Sequence, residues 1–241
     1  MGTSVAASDD KLNTAQQPSD LIVLDACILM SGVLRPLLLD LAQAGLFKPV
    51  WSAYIGLEWR RNAARLWPIN RALLSQEWAQ MQQRFPDACF DPPLVVDRAQ
   101  SHGASSDGQQ RVTADSSHQL APQKTDTLRF SDAKDHHVIL AGVRALNELS
   151  PATTGQNTAR VLTWNIRDFN RQELRRLGLG LLDPDRLLCD WWKTHPTLIK
   201  KHLEHAVQTL IEQGRREPAP IDDFLHRERL FRFKQLYLQA I

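Results

Sequence analysis

Acidic residues at the ends of apolar runs are the feature of this chain best placed to do chemistry. Asp25 directly follows the run LIVL at residues 21–24, and Asp168 follows RVLTW at residues 160–164 by a few positions. Short continuous apolar runs read as strands buried on both faces. Open α/β sheets bind ligands beyond the carboxyl ends of their strands, so two acids placed there can converge. Glu58 and Asp135 lie in apolar-patterned segments near the starts of expected helices, where the helix dipole favours a carboxylate. Four clustered carboxylates repel one another without a counter-charge. A hard divalent cation, Mg²⁺ or Mn²⁺, prefers such oxygen ligands; it acidifies bound water and stabilises charge on a phosphate under attack. The chemistry suits phosphodiester hydrolysis. Taken singly, each acid also reads as a helix cap or a solvated side chain.

The elements that must position these acids follow from the patterning. After the first strand, Leu34, Leu37, Leu38 and Leu41 repeat at helical spacing, with Pro36 in the first turn and Gly45 as a stop. Residues 47–50 read as extended, and Ser52 caps a helix carrying Glu58. A helix over 69–83, a strand over 90–96, a helix over 135–147, a strand over 160–164, a short helix over 172–177 and a strand over 178–182 follow. Asp183-Pro184-Asp185 opens a further helix by its cap chemistry. From His195 onward two or three helices are expected, broken near Gly214 and Pro218–Pro220. Strands alternating with helices imply a mainly parallel sheet covered on both faces. Residues 100–127 are rich in Ser, Gln, Asp and Gly, as in a flexible insertion.

The segments LIVLDACIL, SAYIGLEWRRN, DAKDHHVILAG and VLTWNIRDF, in this order, resemble those of PIN-domain ribonucleases. They are most similar to VapC-type toxins of bacterial toxin–antitoxin pairs, in the branch with a C-terminal helical extension. The resemblance spans roughly residues 21–188. It implies an α/β fold of PIN-like three-layer type with a mainly parallel central sheet, plus a C-terminal helical appendage. The implied organisation is a disordered leader (1–19), a PIN-like nuclease domain (20–190) and a helical extension (191–241). By position, Asp25 matches the first acid, Glu58 the helix acid, Asp135 the third, and Asn165 with Asp168 the last motif. Asn165 stands where the family often has Asp, so charge favours Asp168 as the metal neighbour. Asp132 matches a frequently acidic supporting position, and Thr163 a hydroxyl that supports the first acid. The implied catalytic residues are Asp25, Glu58, Asp135 and Asp168, with Asp25, Asp135 and Asp168 as ligands of Mg²⁺ or Mn²⁺. The implied reaction is endonucleolytic cleavage of RNA, tRNA or rRNA among the family's targets. The implied partner is a cognate antitoxin, and a homodimer is compatible.

Net charge is only +2, from 29 basic and 27 acidic residues, and makes no global case for nucleic acid. Local arginines make a better one. Arg60 and Arg61 follow Glu58, and Arg167 and Arg171 flank Asp168, so these four are candidate RNA contacts. A solvated helix face explains each singly as well. His136 and His137 are adjacent, face different directions on a helix and cannot form one ligand face; packing or RNA contact suits them better. Trp191 and Trp192 are expected in the core or an interface. Three scattered cysteines, an N-terminus without an apolar signal core and no membrane-length apolar run point to a reducing, cytoplasmic setting away from membranes. The rival readings are a PIN-like nuclease of DNA or RNA processing and a non-catalytic PIN-like binding module.

Overall fold

The computed structural model describes residues 20–67, 70–91, 128–149 and 158–240. The expected leader (1–19), the insertion (100–127) and positions 92–96 of the expected strand lie outside the described residues.

Four strands form one all-parallel sheet: β1 (Asp20–Leu24), β2 (Lys48–Val50), β3 (Thr158–Leu162) and β4 (Leu179–Leu182), in the order β2-β1-β3-β4. Leu21, Ile22, Val23 and Leu24 are all fully buried, as a central parallel strand with both faces covered requires. The chain leaves β1 towards β2 on one side, whereas β3 continues to β4 on the other. Connections therefore diverge between the carboxyl ends of β1 and β3, which opens a crevice at this switch point. Asp25 and Thr163 are the residues that immediately follow these two strands. The strand expected over 160–164 ends at Leu162, leaving Thr163 and Trp164 in that crevice.

Helices α1 (Ala26–Leu29) and α2 (Leu34–Gln43) follow β1, and α3 (Ala53–Leu66) and α4 (Arg71–Arg84) follow β2. Ser52 caps α3 by accepting from the Ile55 N–H at 3.2 Å, as its position suggested. Asn70 caps α4, which starts that helix at Arg71, two residues later than the apolar pattern alone indicated. Helix α5 (His136–Leu149) lies on the sheet, where Gly142 allows contact with Val23 and Leu179. Helices α6 (Arg171–Arg176) and α7 (Pro184–Trp192) flank β4, with Asn170 and Asp183 as caps. Three helices complete the chain: α8 (Pro196–Glu212), α9 (Ile221–Arg227) and α10 (Phe231–Gln239). The expected boundary at 190/191 falls inside α7, and the C-terminal helices share one core with the sheet. Trp192 packs edge-on against Phe233 with ring centroids 5.4 Å apart, and Trp191 stacks on Phe47 at 5.3 Å. Among the described residues, no helix is long and apolar enough to cross a membrane.

One glycine sets how α3 and α4 meet. A Cβ at Gly56 would lie 2.4 Å from the Trp78 ring, and that ring also packs on Trp51 and Trp59. Gly56→Ala must push α4 off α3, the helix that carries Glu58. We expect a loss of about 1–3 kcal/mol in denaturant unfolding; an unchanged midpoint and slope would show that Trp78 is not seated on this backbone.

Candidate metal centre

The acids meet at the β1/β3 crevice. Asp25 is buried, and its Oδ2 accepts from the Thr163 hydroxyl at 2.6 Å and from the Cys27 thiol at 3.1 Å. The Asn165 N–H bonds the same hydroxyl at 2.9 Å. Burial pushes the Asp25 carboxyl above its ordinary range, opposed by these hydrogen bonds, while Glu58 adds like-charge repulsion. Burial likewise raises the Cys27 thiol, and the neighbouring Asp25 raises it further; this sulfur is a hydrogen-bond donor to the acid rather than a thiolate.

Asp135 is the centre of the group. It closes a 3-10 turn (Ala133–Asp135) immediately before α5, and is 4% exposed. Its carboxyl is pushed up to about 7, by burial first and then by repulsion from Asp25, Asp168 and Glu58, against the attraction of Lys134. The helix start was expected to favour this carboxylate; burial and crowding by like charge outweigh it. Glu58 is also not where the dipole acts, because it occupies the second turn of α3.

Asp132, Asp135 and Asp168 each offer an oxygen within 4.8 Å of the other two. Asp25 does not join this tight trio, although it is close enough to raise Asp135. The chain therefore gathers the supporting Asp132 more tightly with Asp135 and Asp168 than the first acid. Asp168 belongs to the trio, and Asn165 is exposed. The trio is fastened through the backbone: the Asp132 N–H donates to the Asp168 carbonyl at 2.8 Å.

Sequence reasoning missed Lys134 and Glu173 here, and expected only packing or RNA contact of His137. Lys134 reaches Asp168 at 3.1 Å and Asp132 at 3.2 Å, with Asp135 at 3.9 Å. One ammonium among three carboxylates leaves the group net negative. His137 is buried; its Nδ1 lies 2.8 Å from the Lys134 carbonyl and its Nε2 3.1 Å from Glu58 Oε2. Glu173 is buried and accepts from the N–H groups of Arg129, Phe130 and Ser131 and from the Ser131 hydroxyl. Burial alone would raise the Glu173 carboxyl, but these donors hold it below its ordinary range. It pins the segment that leads into Asp132. None of the three carries a spacing signal: Lys134 and Glu173 look like ordinary surface charges, and one adjacent histidine pair does not reveal which ring turns inward.

The arginines divide. Arg60 stacks over the Trp78 ring at 5.5 Å, because two residues along a helix turn a side chain about 200° away from Glu58. It therefore faces α4 and not the acids, contrary to expectation. Arg61, Arg167 and Arg171 are exposed, on α3, on the 3-10 turn Ile166–Asp168 and at the start of α6.

The donor set fits a hard divalent cation. Asp135 Oδ2 and Glu58 Oε2 are buried without a hydrogen-bond partner, and so is His137 Nε2, whose approach to Glu58 lacks hydrogen-bond geometry. Buried carboxylate oxygens left without donors are costly unless something positive faces them. Asp135, Asp168 and either Asp132 or Asp25 would supply the oxygens.

The sign of the pH dependence follows from Asp135. Its folded carboxyl titrates near 7 and its ordinary value is 3.8, so the unfolded chain releases that proton first. Without cation, this group lowers stability as pH rises from about 4 to about 7, then contributes a constant amount. Cation binding needs the carboxylate. We expect Mn²⁺ affinity measured by calorimetry to climb as pH rises through about 7 and then level, with proton release below that pH. Asp135→Asn should abolish the climb and raise the metal-free melting temperature at pH 8 by about 2–4 °C. A flat affinity between pH 6 and 8 in the natural chain would contradict this assignment.

Set against known proteins, the chain matches no family model, no curated protein and no solved structure, so its site stands on its own geometry.

Proposed function

We propose that this chain is a PIN-like, Mg²⁺- or Mn²⁺-dependent endoribonuclease, and the toxin of a toxin–antitoxin pair whose antitoxin covers the acidic crevice. The observation that carries the nuclease reading is Asp135: a buried carboxylate crowded by Asp25, Asp168 and Glu58, with an oxygen that has no hydrogen-bond partner, at the switch point of a parallel sheet. The order of the four sequence segments supports the PIN-like assignment and the toxin role.

Asp25, Asp135 and Asp168 would hold the cation, with Asp132 beside them. The cation, when bound, supplies Lewis acidity and a more acidic water. The protein does the rest by placement. Thr163 and Cys27 fix the Asp25 carboxylate through Oδ2, and its other oxygen would serve the cation. Glu58, with the His137 ring 3.1 Å away, would orient the attacking water towards phosphorus. Arg61, Arg167 and Arg171 hold flanking phosphates. Lys134, exposed and on a long stem, balances the acids in the free protein and can swing to a phosphate when substrate arrives. In-line attack by water leaves a 5′-phosphate and a 3′-hydroxyl.

Asp25→Asn should leave the melting temperature within a few degrees and lower RNA cleavage by at least about 100-fold. The assay compares labelled single-stranded RNA with flap DNA, both with Mn²⁺ and with EDTA. Full activity in a contaminant-free Asp25→Asn preparation sinks the reading; cleavage of flap DNA alone replaces it with a DNA-processing role.

A further inference from the structure

A second recess opens beside the acids. It is an open cavity of ≈ 580 Å³ whose walls include Cys27, Met30, Trp67, Trp164, Arg215 and Arg216. That volume falls in the range of small-ligand sites. Cys27 belongs to both places: it lines this cavity, and its thiol donates to Asp25 Oδ2 at 3.1 Å. The cavity therefore begins one side chain away from the first acid. Trp67 ends α3 and Trp164 follows β3, and both rings are half-buried, so each keeps part of its surface available. The opposite wall comes from the C-terminal helices, through the turn after α8 that carries Gly214, Arg215 and Arg216.

We propose that this cavity is a nucleotide subsite: it takes an unpaired nucleotide next to the scissile phosphate, stacking its base on Trp67 or Trp164 and placing its phosphate at Arg216. The assignment rests on the nuclease reading for what the strand is, and adds where a single strand lies. Three observations select this occupant. Aromatic faces offer every base a stacking surface, whereas a duplex keeps its bases stacked inside. The exposed Arg216 at the cavity meets a phosphate backbone by charge. Continuity with Asp25 puts the neighbouring phosphate at the acids.

The charged groups at the cavity have separate tasks. Arg215 is tied to Glu77 at 2.5 Å, which braces the turn against α4. Glu228 is half-buried, accepts from the Ser31 hydroxyl at 2.7 Å and draws on the Arg216 charge. It thus anchors the C-terminal wall to the segment after α1. Arg216 is exposed at the edge and is the cation placed to meet a phosphate.

The test reads fluorescence anisotropy of a labelled single-stranded RNA octamer against the full chain in EDTA, so binding is measured without turnover. The single strand should bind more tightly than a blunt duplex of the same sequence. Trp67→Ala should weaken binding by about 5- to 150-fold, the range that the loss of one stacked base gives. Arg216→Ala, at an exposed position, should weaken it and reduce the slope of log K against log salt by about 0.7. Photocrosslinks from 5-iodouridine should map to Trp67 or Trp164. Unchanged binding in both variants overturns the subsite, as does crosslinking elsewhere. Failure of the octamer to bind, as expected if the cavity seats a polypeptide, overturns it too. Binding that depends on Trp67 and Arg216 in a chain that never cleaves RNA supports the subsite and counts against hydrolysis alone.

Discussion

Repulsion among carboxylates in a small buried space is the constraint around which this molecule is arranged. Asp135 is nearly inaccessible to water and feels three other acids at once, so its carboxyl ionises only near neutrality. A fold selected for stability alone would not bury Asp25 and Asp135 beside two further acids, because buried carboxylates lose hydration. Keeping them together makes sense if a counter-charge completes the group. Lys134 meets part of that need in the free protein, but a single ammonium on an exposed stem leaves buried oxygens on Asp135 and Glu58 without a hydrogen-bond partner. The chain holds a strained electrostatic arrangement in place by rigid scaffolding, as functional sites commonly do.

The scaffolding is specific. Two strand ends of one parallel sheet supply Asp25 and Thr163, and the hydrogen bond between them ties β1 to β3 at the very edge of the crevice. The segments carrying Asp132 and Asp168 are fastened to each other by backbone hydrogen bonding, and Glu173 gathers four donors from residues 129–131 just upstream. A carboxylate that accepts several donors is one of the stronger local restraints a chain can make. Here it acts as a strut for the acids rather than as one of them. Close packing of α3 on α4 at Gly56 sets the rotation of α3 and so the direction of Glu58.

The C-terminal helices are part of the same construction. Asp185 on α7 accepts from the N–H groups of Arg232 and Phe233, at 3.0 and 2.8 Å, and so caps α10 across a long stretch of sequence. Ser31 and Glu228 join the end of α9 to the segment after α1. The turn with Arg215 and Arg216 lines one cavity with Trp67 and Trp164. The extension thereby forms one wall of a recess adjoining the acids, and the proposed path of a single strand uses both halves of the chain.

Local chemistry was enough to read much of this from the amino-acid sequence. The buried run at residues 21–24 and the apolar pair Val161–Leu162 mark the two central strands. Ser52 and Asp183 cap the helices their types suit, and acids fall at strand ends. Each of these features depends on neighbours in sequence, where propensity and hydrogen bonding act directly. Tertiary structure decided what depends on distance through space. It drew Asp132 into the trio, turned Arg60 away onto Trp78, set the exposed Lys134 against three acids and buried His137. It also raised Asp135 rather than steadying it by a helix dipole. The reason is physical: burial and Coulomb repulsion are set by which groups finally share a space, and spacing along the chain specifies neither the depth of that space nor who else enters it.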